Sequence, residues 1–152
     1  MQAHAHEILD NLWLGDIHSS QDESFHKYYK IKSVFNCSKD LPFLNNLEQK
    51  HYRVPVHDNL QEKEIVHLGN ISFQTIASLD KELKKGKCVL VHCYAGAQRS
   101  AAVVTMYLIY KYKMKPDDAI KQVKKIRPQA FPRSINFKKA IDFFYKSLQN
   151  NN

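Results

Sequence analysis

One stretch constrains the fold of this chain more than any other, and it runs from Lys87 to Met106 with the sequence KCVLVHCYAGAQRSAAVVTM. Its opening part, Cys88 to Val91, is a short apolar run that predicts a buried strand. A compact loop follows from His92 to Arg99, and an apolar helix is predicted to open at Ser100. The order strand, tight loop and helix places the loop directly at a helix N-terminus.

That order predicts an anion site. The first N–H groups of a helix lack intrahelical partners, and the aligned peptide dipoles add roughly half a positive charge at that end. A phosphate can therefore be held there by backbone groups alone. Arg99 adds a planar fork that suits two phosphoryl oxygens at once. Gly96 lets the loop turn tightly enough for its N–H groups to converge.

The same field favours the thiolate form of Cys93, because a cysteine at a helix N-terminus beside an arginine is stabilised as the anion. These residues predict phosphoryl transfer through a cysteinyl-phosphate intermediate, in which the thiolate attacks and the loop holds the equatorial oxygens. The alternative is that Cys93 is a small buried hydrophobe at a strand end. We favour the first interpretation because Cys, Gly, Arg and Ser all fall where this chemistry needs them.

The segment HCYAGAQRS resembles the His-Cys-x5-Arg-Ser signature of the cysteine-dependent protein tyrosine phosphatases. The flanking VLV and SAAVVTMYLIY are similar to the dual-specificity branch, in its small form that consists of a catalytic domain only. The resemblance spans the chain from EILDNLWLG to NFKKAIDFF. It implies that Cys93 is the nucleophile, Arg99 the phosphate clamp, and Ser100 the hydroxyl that helps the thiolate leave. The substrate-binding loop would comprise His92, Tyr94, Ala95, Gly96, Ala97, Gln98 and Arg99.

The chain departs from this branch at two places. The branch has Ser just before the signature Arg, whereas this chain has Gln98. The branch also shows Pro-Asn before a Gly-Phe, whereas this chain has Pro132-Arg133 and Asn136-Phe137. We expect the second segment to support the phosphate loop differently here.

A departing oxygen needs a proton, so the thiolate must be paired with a general acid on a separate loop. Asp58, in YRVPVHDNLQEKE, is the candidate, because it follows a predicted strand and begins a polar loop. The family places its acid at a matching position before the Cys. A solvated turn residue is the alternative for Asp58, and His57 is the alternative acid.

Three further side chains near the loop have predicted roles. His92 is expected to order the loop through a backbone hydrogen bond rather than to take a proton, and Tyr94 and Gln98 to border the phosphate mouth. A zinc site from Cys88, His92 and Cys93 is disfavoured, because no fourth ligand pattern accompanies them. We expect no metal and no cofactor.

Length and composition predict one catalytic domain over residues 1–152 with a disordered tail at 149–152, since 152 residues with 43% apolar content can fill a single core. Neither a membrane span of about 20 apolar residues nor a signal peptide is expected. Three cysteines are an odd count, and a reactive thiolate favours a reducing compartment. We therefore expect a cytoplasmic protein with access to the nucleus.

The formal net charge of +8 favours anionic partners without naming one, because the lysines are dispersed over predicted helix faces. The first functional hypothesis is a phosphatase for phosphotyrosine and phosphoserine or phosphothreonine in proteins. The second is a phosphatase for an RNA 5′-triphosphate or a phosphoinositide, and the third is an inactive phosphopeptide-binding module. The sequence leaves the oligomeric state open.

The rest of the pattern predicts a mixed, largely parallel sheet flanked by helices, with a C-terminal helical cluster, in an α/β fold that resembles the protein tyrosine phosphatases. A hairpin is predicted around Asp10 and Asn11, and a short helix capped by Ser19 or Ser20 through Tyr28. Further predicted elements are strands at Ser33–Cys37 and Tyr52–Val56, a helix through Phe73 and Leu83, and helices at Ser100–Tyr112, Pro116–Ile126 and Ser134–Gln149. Ser134 is the predicted N-cap of the last helix.

Overall fold

The computed structural model describes residues 3–150, and its centre is a five-stranded sheet. The strands are β1 (Ala5–Leu9), β2 (Leu12–Gly15), β3 (Ile31–Asn36), β4 (Lys50–Arg53) and β5 (Cys88–His92). The helices are α1 (Ile17–Gln21), α2 (Glu23–Tyr28), α3 (Glu62–Lys84), α4 (Arg99–Tyr112), α5 (Pro116–Ile126) and α6 (Lys138–Asn150).

The strand order is β1-β2-β5-β3-β4, with β5 at the centre. β2, β5, β3 and β4 run parallel, and only β1 is antiparallel, to β2. Leu9 pairs with Leu12 across the predicted hairpin turn, where Asn11 takes a left-handed φ of 72°. The predicted α/β fold with a mixed, largely parallel sheet is confirmed.

The two faces of the sheet are covered unequally. Helix α4 contacts α3, α5 and α6, and it also contacts β5 and β2. Every residue of α4 from Ser100 to Ile109 is buried, because other elements surround this helix. On the opposite face a smaller cluster of Ile31, Val34 and Leu90 packs near the short helices. The central strand and the central helix therefore hold the loop between them in a rigid frame.

The predicted fourth strand is shifted along the chain. The prediction was Tyr52–Val56, whereas β4 spans Lys50–Arg53. The N–H of Val54 still donates to the carbonyl of Asn36 at 2.9 Å, but Pro55 has no N–H with which to continue the ladder. The segment that carries Asp58 therefore leaves the sheet at the carboxyl end of β4.

The predicted helix through Tyr28 is two helices, and the predicted caps are wrong. Asp16 caps α1 by accepting from the N–H of Ser19 at 2.9 Å, and Asp22 caps α2 in the same way. Ser19 lies inside α1 and donates to the carbonyl of Asp16. A carboxylate in the cap position supplies both an acceptor and a charge that suits the helix dipole.

The last helix begins later than predicted. It starts at Lys138, and Ser134 is not its cap, because the Ser134 hydroxyl donates to Oδ1 of Asn136 at 2.6 Å within a loop. Residues 149 and 150 of the predicted tail continue α6, and residues 151–152 lie outside the described residues. Of the helices within residues 3–150, none has the length and apolar content needed to cross a bilayer.

Candidate active site

The loop between β5 and α4 turns its carbonyl groups outward, toward the surrounding protein. Each carbonyl of residues 94–98 accepts a hydrogen bond: Tyr94 from the N–H of Ile17, Ala95 and Gly96 from Arg127, Ala97 from the N–H of Phe131, and Gln98 from the N–H of Ala102. Over the described part of the chain, the N–H groups of residues 94–99 have no protein acceptor. Because the N–H and C=O of a trans peptide point in opposite directions, the N–H groups of residues 95–99 point away from these partners at the positive end of α4, which makes the loop a candidate anion cradle.

Gly96 makes the tight curvature of this loop attainable. Its φ is 63°, which is left-handed, and it is buried. A Cβ at this position would lie 2.5 Å from the carbonyl oxygen of Gly15 and 2.9 Å from Nη2 of Arg127. Only a residue without a side chain fits here, because both neighbours would otherwise have to move.

Cys93 lies at the base of the cradle. It is 2% exposed, and its Sγ is 3.1 Å from the hydroxyl oxygen of Ser100 in the first turn of α4. Ser100 can donate its hydroxyl hydrogen to a thiolate at this distance. The structure therefore brings together two of the predicted catalytic groups in the geometry of a charge-assisted hydrogen bond.

Arg99 crosses from the start of α4 toward the segment that follows β4. Its Nη1 donates to the carbonyl of Val56 at 3.1 Å. Its Nε is buried and has no partner among residues 3–150. A buried, unpaired donor at the rim of an anion cradle is free to bind a phosphoryl oxygen, which is the predicted role of this side chain.

The predicted acid, Asp58, is exposed at the same edge of the sheet. It lies two residues after Val56, whose carbonyl Arg99 holds. Next to it, the N–H of His57 donates to the buried carboxylate of Glu64 in α3 at 3.0 Å. That hydrogen bond, together with the one from Lys39, holds the pKa of Glu64 below its ordinary value. Residues 54–61, which connect β4 to α3 and carry Asp58, are called the acid loop below. The hydrogen bond from His57 to Glu64 attaches this loop to α3.

Gln98 and Asn136 form a second attachment of the acid loop. The side-chain amide of Gln98 donates to the carbonyl of Ser134 at 2.8 Å and accepts from the N–H of Asn136 at 3.0 Å. Nδ2 of Asn136 in turn donates to Oδ1 of Asp58 at 2.9 Å. Gln98 was predicted to border the phosphate mouth. Its side-chain amide is bonded instead to the 134–136 segment.

Arg127 supports the loop and is not among the predicted site residues. It is 1% exposed at the end of α5, and it donates through Nε to the carbonyl of Gly96 at 2.9 Å and through Nη2 to that of Ala95 at 3.2 Å. Its Nη1 contacts Nδ1 of His6 at 2.9 Å. Burial lowers the pKa of Arg127. The sequence carries little signal for this role, because an Arg that ends a lysine-rich helix looks like a surface base.

His92 and Tyr94 flank the nucleophile in very different environments. His92 is buried, and burial lowers the pKa of its imidazole to about 4. Its Nδ1 is 3.4 Å from the carbonyl of Cys93, a long version of the predicted backbone contact. Tyr94 is 64% exposed, so its ring stands free beside the cradle.

The three residues considered as a zinc site, Cys88, His92 and Cys93, lie along β5 and directly after it. Cys88 begins the strand and contacts Oδ1 of Asn11, while Cys93 follows the end of the strand. Among residues 3–150, no group of three or more His, Cys, Asp and Glu side chains is arranged to hold a metal ion.

The family follows from a comparison with known domains. The model of the dual specificity phosphatase catalytic domain matches residues 12–147 of this chain. The chain therefore belongs to this family of cysteine-dependent phosphatases, as the signature from His92 to Ser100 predicts. This match confirms the predicted family and the predicted enzyme class, a cysteine-dependent phosphatase.

Individual relatives agree with this assignment. The chain is 31% identical over 144 residues to human dual specificity protein phosphatase 16, covering 94% of this chain and 21% of that protein. It is 35% identical over 132 residues to tyrosine-protein phosphatase vhp-1 of Caenorhabditis elegans, covering 86% of this chain and 19% of that protein. The crystal structure of human DUSP28 matches with a TM-score of 0.85 and 26% identity, over 98% of this chain and 97% of that one. The chain thus spans about a fifth of the length of the two curated relatives.

Proposed function

We propose that this chain is a dual-specificity protein phosphatase that hydrolyses phosphotyrosine and phosphoserine or phosphothreonine through a cysteinyl-phosphate intermediate. One observation carries the proposal: an anion cradle of outward carbonyls and inward N–H groups surrounds Cys93, whose Sγ is 3.1 Å from the Ser100 hydroxyl. The names of the relatives, dual specificity protein phosphatase and tyrosine-protein phosphatase, support this substrate class.

In the first step the thiolate of Cys93 attacks phosphorus, so that the S–P bond forms as the bond to the substrate oxygen breaks. The loop N–H groups and Nε of Arg99 bind the non-bridging oxygens, where negative charge must be held throughout the transfer. Asp58, protonated before the step, gives its proton to the departing oxygen. The products are a free alcohol or phenol and a phosphorylated Cys93.

In the second step water attacks the same phosphorus, and the S–P bond breaks. Asp58, now a carboxylate, accepts the proton of the attacking water. The Ser100 hydroxyl donates a hydrogen bond to the sulfur and keeps its proton as negative charge returns to the sulfur, which makes the thiolate a better leaving group. Inorganic phosphate is released, and the enzyme returns to its initial state.

The side chains of the cradle favour a single phosphate over a polyphosphate. Tyr94, Ala95 and Ala97 carry no charge, and the amide of Gln98 is occupied by Ser134 and Asn136. An RNA 5′-triphosphate or a phosphoinositide needs further cations for its additional phosphates, and the loop itself supplies only Arg99. A phosphorylated protein is therefore the favoured partner.

We further propose that residues 1–152 form one catalytic domain and that it acts in the cytoplasm, with access to the nucleus. All three cysteines are free, which suits a reducing compartment.

A serine scan of the cysteines tests the nucleophile. Cys93→Ser should lower kcat on para-nitrophenyl phosphate by at least about a hundredfold, because a serine hydroxyl stays protonated at neutral pH. Cys88→Ser is the matched control: it changes the same atom at the start of β5 and should keep full activity. Equal activity of Cys93→Ser and wild type would refute the mechanism.

A substrate panel tests the class. Initial rates are compared on phosphotyrosine, phosphoserine and phosphothreonine peptides, on RNA with a 5′-triphosphate and on inositol phospholipids. The proposal predicts the highest kcat/KM on phosphopeptides. A higher value on the RNA or the lipid would overturn it, and binding of phosphopeptides without turnover would indicate an inactive binding module.

A further inference from the structure

The two places where this chain departs from its branch are in direct contact with each other. Gln98 occupies the position before the signature Arg, and the 134–136 segment follows the altered Pro132-Arg133 pair. The amide of Gln98 bonds both a carbonyl and an N–H of that segment, at 2.8 Å and 3.0 Å. Gln98 is 9% exposed, so this pair of bonds is largely shielded from water. A longer amide side chain and an altered loop therefore fit together.

The same segment ends on the acid. Ser134 donates its hydroxyl to Oδ1 of Asn136, which fixes the orientation of the Asn136 amide and turns Nδ2 toward Asp58. Nδ2 then donates to Oδ1 of Asp58 at 2.9 Å. A continuous chain of hydrogen bonds leads from Gln98, next to Arg99, through Asn136 to Asp58.

We propose that Asn136 is a positioning residue for Asp58, and that Gln98 ties it to the phosphate loop so that acid and nucleophile keep a fixed geometry. This inference rests on the proposed function, in which Asp58 is the general acid. In this proposal Asn136 touches neither the phosphate nor the leaving group, because its amide is bonded to Ser134 and Asp58. It acts by occupying Oδ1 of Asp58, which leaves Oδ2 as the oxygen that carries the proton.

The physical reason is that Asp58 is exposed at the start of a polar loop, where its side chain would otherwise sample several rotamers. Proton transfer needs the acid within hydrogen-bonding distance of the leaving oxygen, and a small displacement is costly in rate. A single donor on a neighbouring loop removes much of that freedom. The effect should therefore appear only in steps that need the proton.

The experiment compares phenyl phosphate, whose leaving group needs a proton, with para-nitrophenyl phosphate, whose leaving group departs more easily without one. Asn136→Ala should lower kcat/KM on phenyl phosphate about tenfold, the effect expected from one lost hydrogen bond, and on para-nitrophenyl phosphate less than about twofold. Gln98→Ala should show the same pattern, with a larger loss of kcat/KM on phenyl phosphate than on para-nitrophenyl phosphate. Asn70→Ala is the matched control: it makes the same substitution at an exposed position of α3 and should change neither rate.

A double variant separates positioning from general weakening of the fold. If Asn136 acts through Asp58, Asn136→Ala added to Asp58→Asn should cause no further loss on phenyl phosphate. An equal loss on both substrates, or additive losses in the double variant, would overturn the inference. Circular dichroism and urea unfolding check that each variant is folded, and Asn136→Leu, which keeps the branched shape without a charge and removes the donor, replaces Asn136→Ala if that variant is not.

The failure of the proposed function has a different signature. If Asp58→Asn lowers the rates on the two substrates equally, Asp58 is not the acid, and the positioning role of Asn136 fails with it. If Asp58→Asn shows the leaving-group effect and Asn136→Ala does not, the proposed acid stands and only the role of Asn136 is refuted.

Discussion

Replacing Arg127 should weaken both the fold and the catalysis, although this residue is not one of the proposed catalytic groups. Arg127 is 1% exposed and donates to the carbonyls of Gly96, Ala95 and Ala3. In Arg127→Met the two loop carbonyls lose their donors in a buried site, and each unpaired acceptor costs about 1–3 kcal/mol. Removing a buried guanidinium also removes its desolvation cost, so the net loss should lie near the lower end, at about 2–3 kcal/mol.

Urea unfolding measures this loss directly. With a slope of about 2 kcal/mol per molar urea, a loss of 2–3 kcal/mol lowers the midpoint by about 1–1.5 M. Lys125→Met is the matched control, because it removes the same charge from an exposed position of α5. Its midpoint should equal that of the wild type. Arg127→Lys should fall between the two, because an ammonium cannot span both loop carbonyls as the fork does.

Activity should fall further than stability alone explains. Once their donor is gone, the Ala95 and Gly96 peptides can rotate, and a carbonyl oxygen turned inward would repel the phosphate that an N–H should bind. We expect kcat/KM on para-nitrophenyl phosphate to drop at least about a hundredfold, comparable to the loss of one oxyanion donor. The assay is run without urea, where the variant is still folded. An Arg127→Met protein with an unchanged midpoint and unchanged kcat/KM would refute the reasoning.

Two more changes test the loop and its flank. Gly96→Ala places a Cβ 2.5 Å from the Gly15 carbonyl oxygen at a φ of 63°, so the loop must distort. Phosphate binding, measured by competitive inhibition with vanadate or tungstate, should weaken at least about tenfold. Unaltered inhibition would contradict the cradle geometry. The buried His92 has a pKa of about 4, below its unfolded value of 6.5, so only the unfolded state gains a proton as the pH falls through this window. Stability should therefore be lost between pH 6.5 and pH 4, by up to about 3 kcal/mol, and His92→Asn should lose correspondingly less in parallel urea titrations; identical pH profiles would argue against a neutral, buried imidazole.

The strand, loop and helix around Cys93 could be predicted because their information is local. An apolar strand, a glycine at the turn and an apolar helix follow each other without interruption, so the backbone path and the polarity of the site are set by neighbours in sequence. The hairpin at Asp10 and Asn11 was predictable for the same reason, since Asn tolerates the left-handed conformation. Packing then reinforces what the local sequence favours.

The supports of the loop could not be predicted in this way. Arg127 lies 31 positions from Gly96, and nothing in its immediate neighbours distinguishes it from the exposed lysines of α5. The caps failed differently: Ser19 is a good cap in isolation, but Asp16 and Asp22 compete for the same role and prevail. In both cases the deciding interaction depends on tertiary context or on a competition between equivalent residues.

The two departures from the branch show a third situation. Gln98 and Asn136 are each visible in the sequence as unusual residues, 38 positions apart, yet only the folded chain reveals that Gln98 bonds the backbone of Asn136. A prediction from sequence could state that the segment supports the loop differently, but it could not identify the partner. Ser134 was predicted to cap α6 because its hydroxyl suits a cap, whereas it orients the Asn136 amide instead.

The positive potential of the site comes mainly from its backbone, and this explains why the net charge of +8 says little about function. Lysines near the end of α3 are paired with Asp80 and Glu82, away from the phosphate loop. The positive potential of the loop comes instead from its own N–H groups. The carbonyls of the same peptides are held outward by α1, by the end of α5 and by α4. Such donors need no reorganisation when charge develops on the phosphoryl group. Catalysis in this fold should therefore be sensitive to residues that bind the carbonyls and tolerant of changes among the surface lysines.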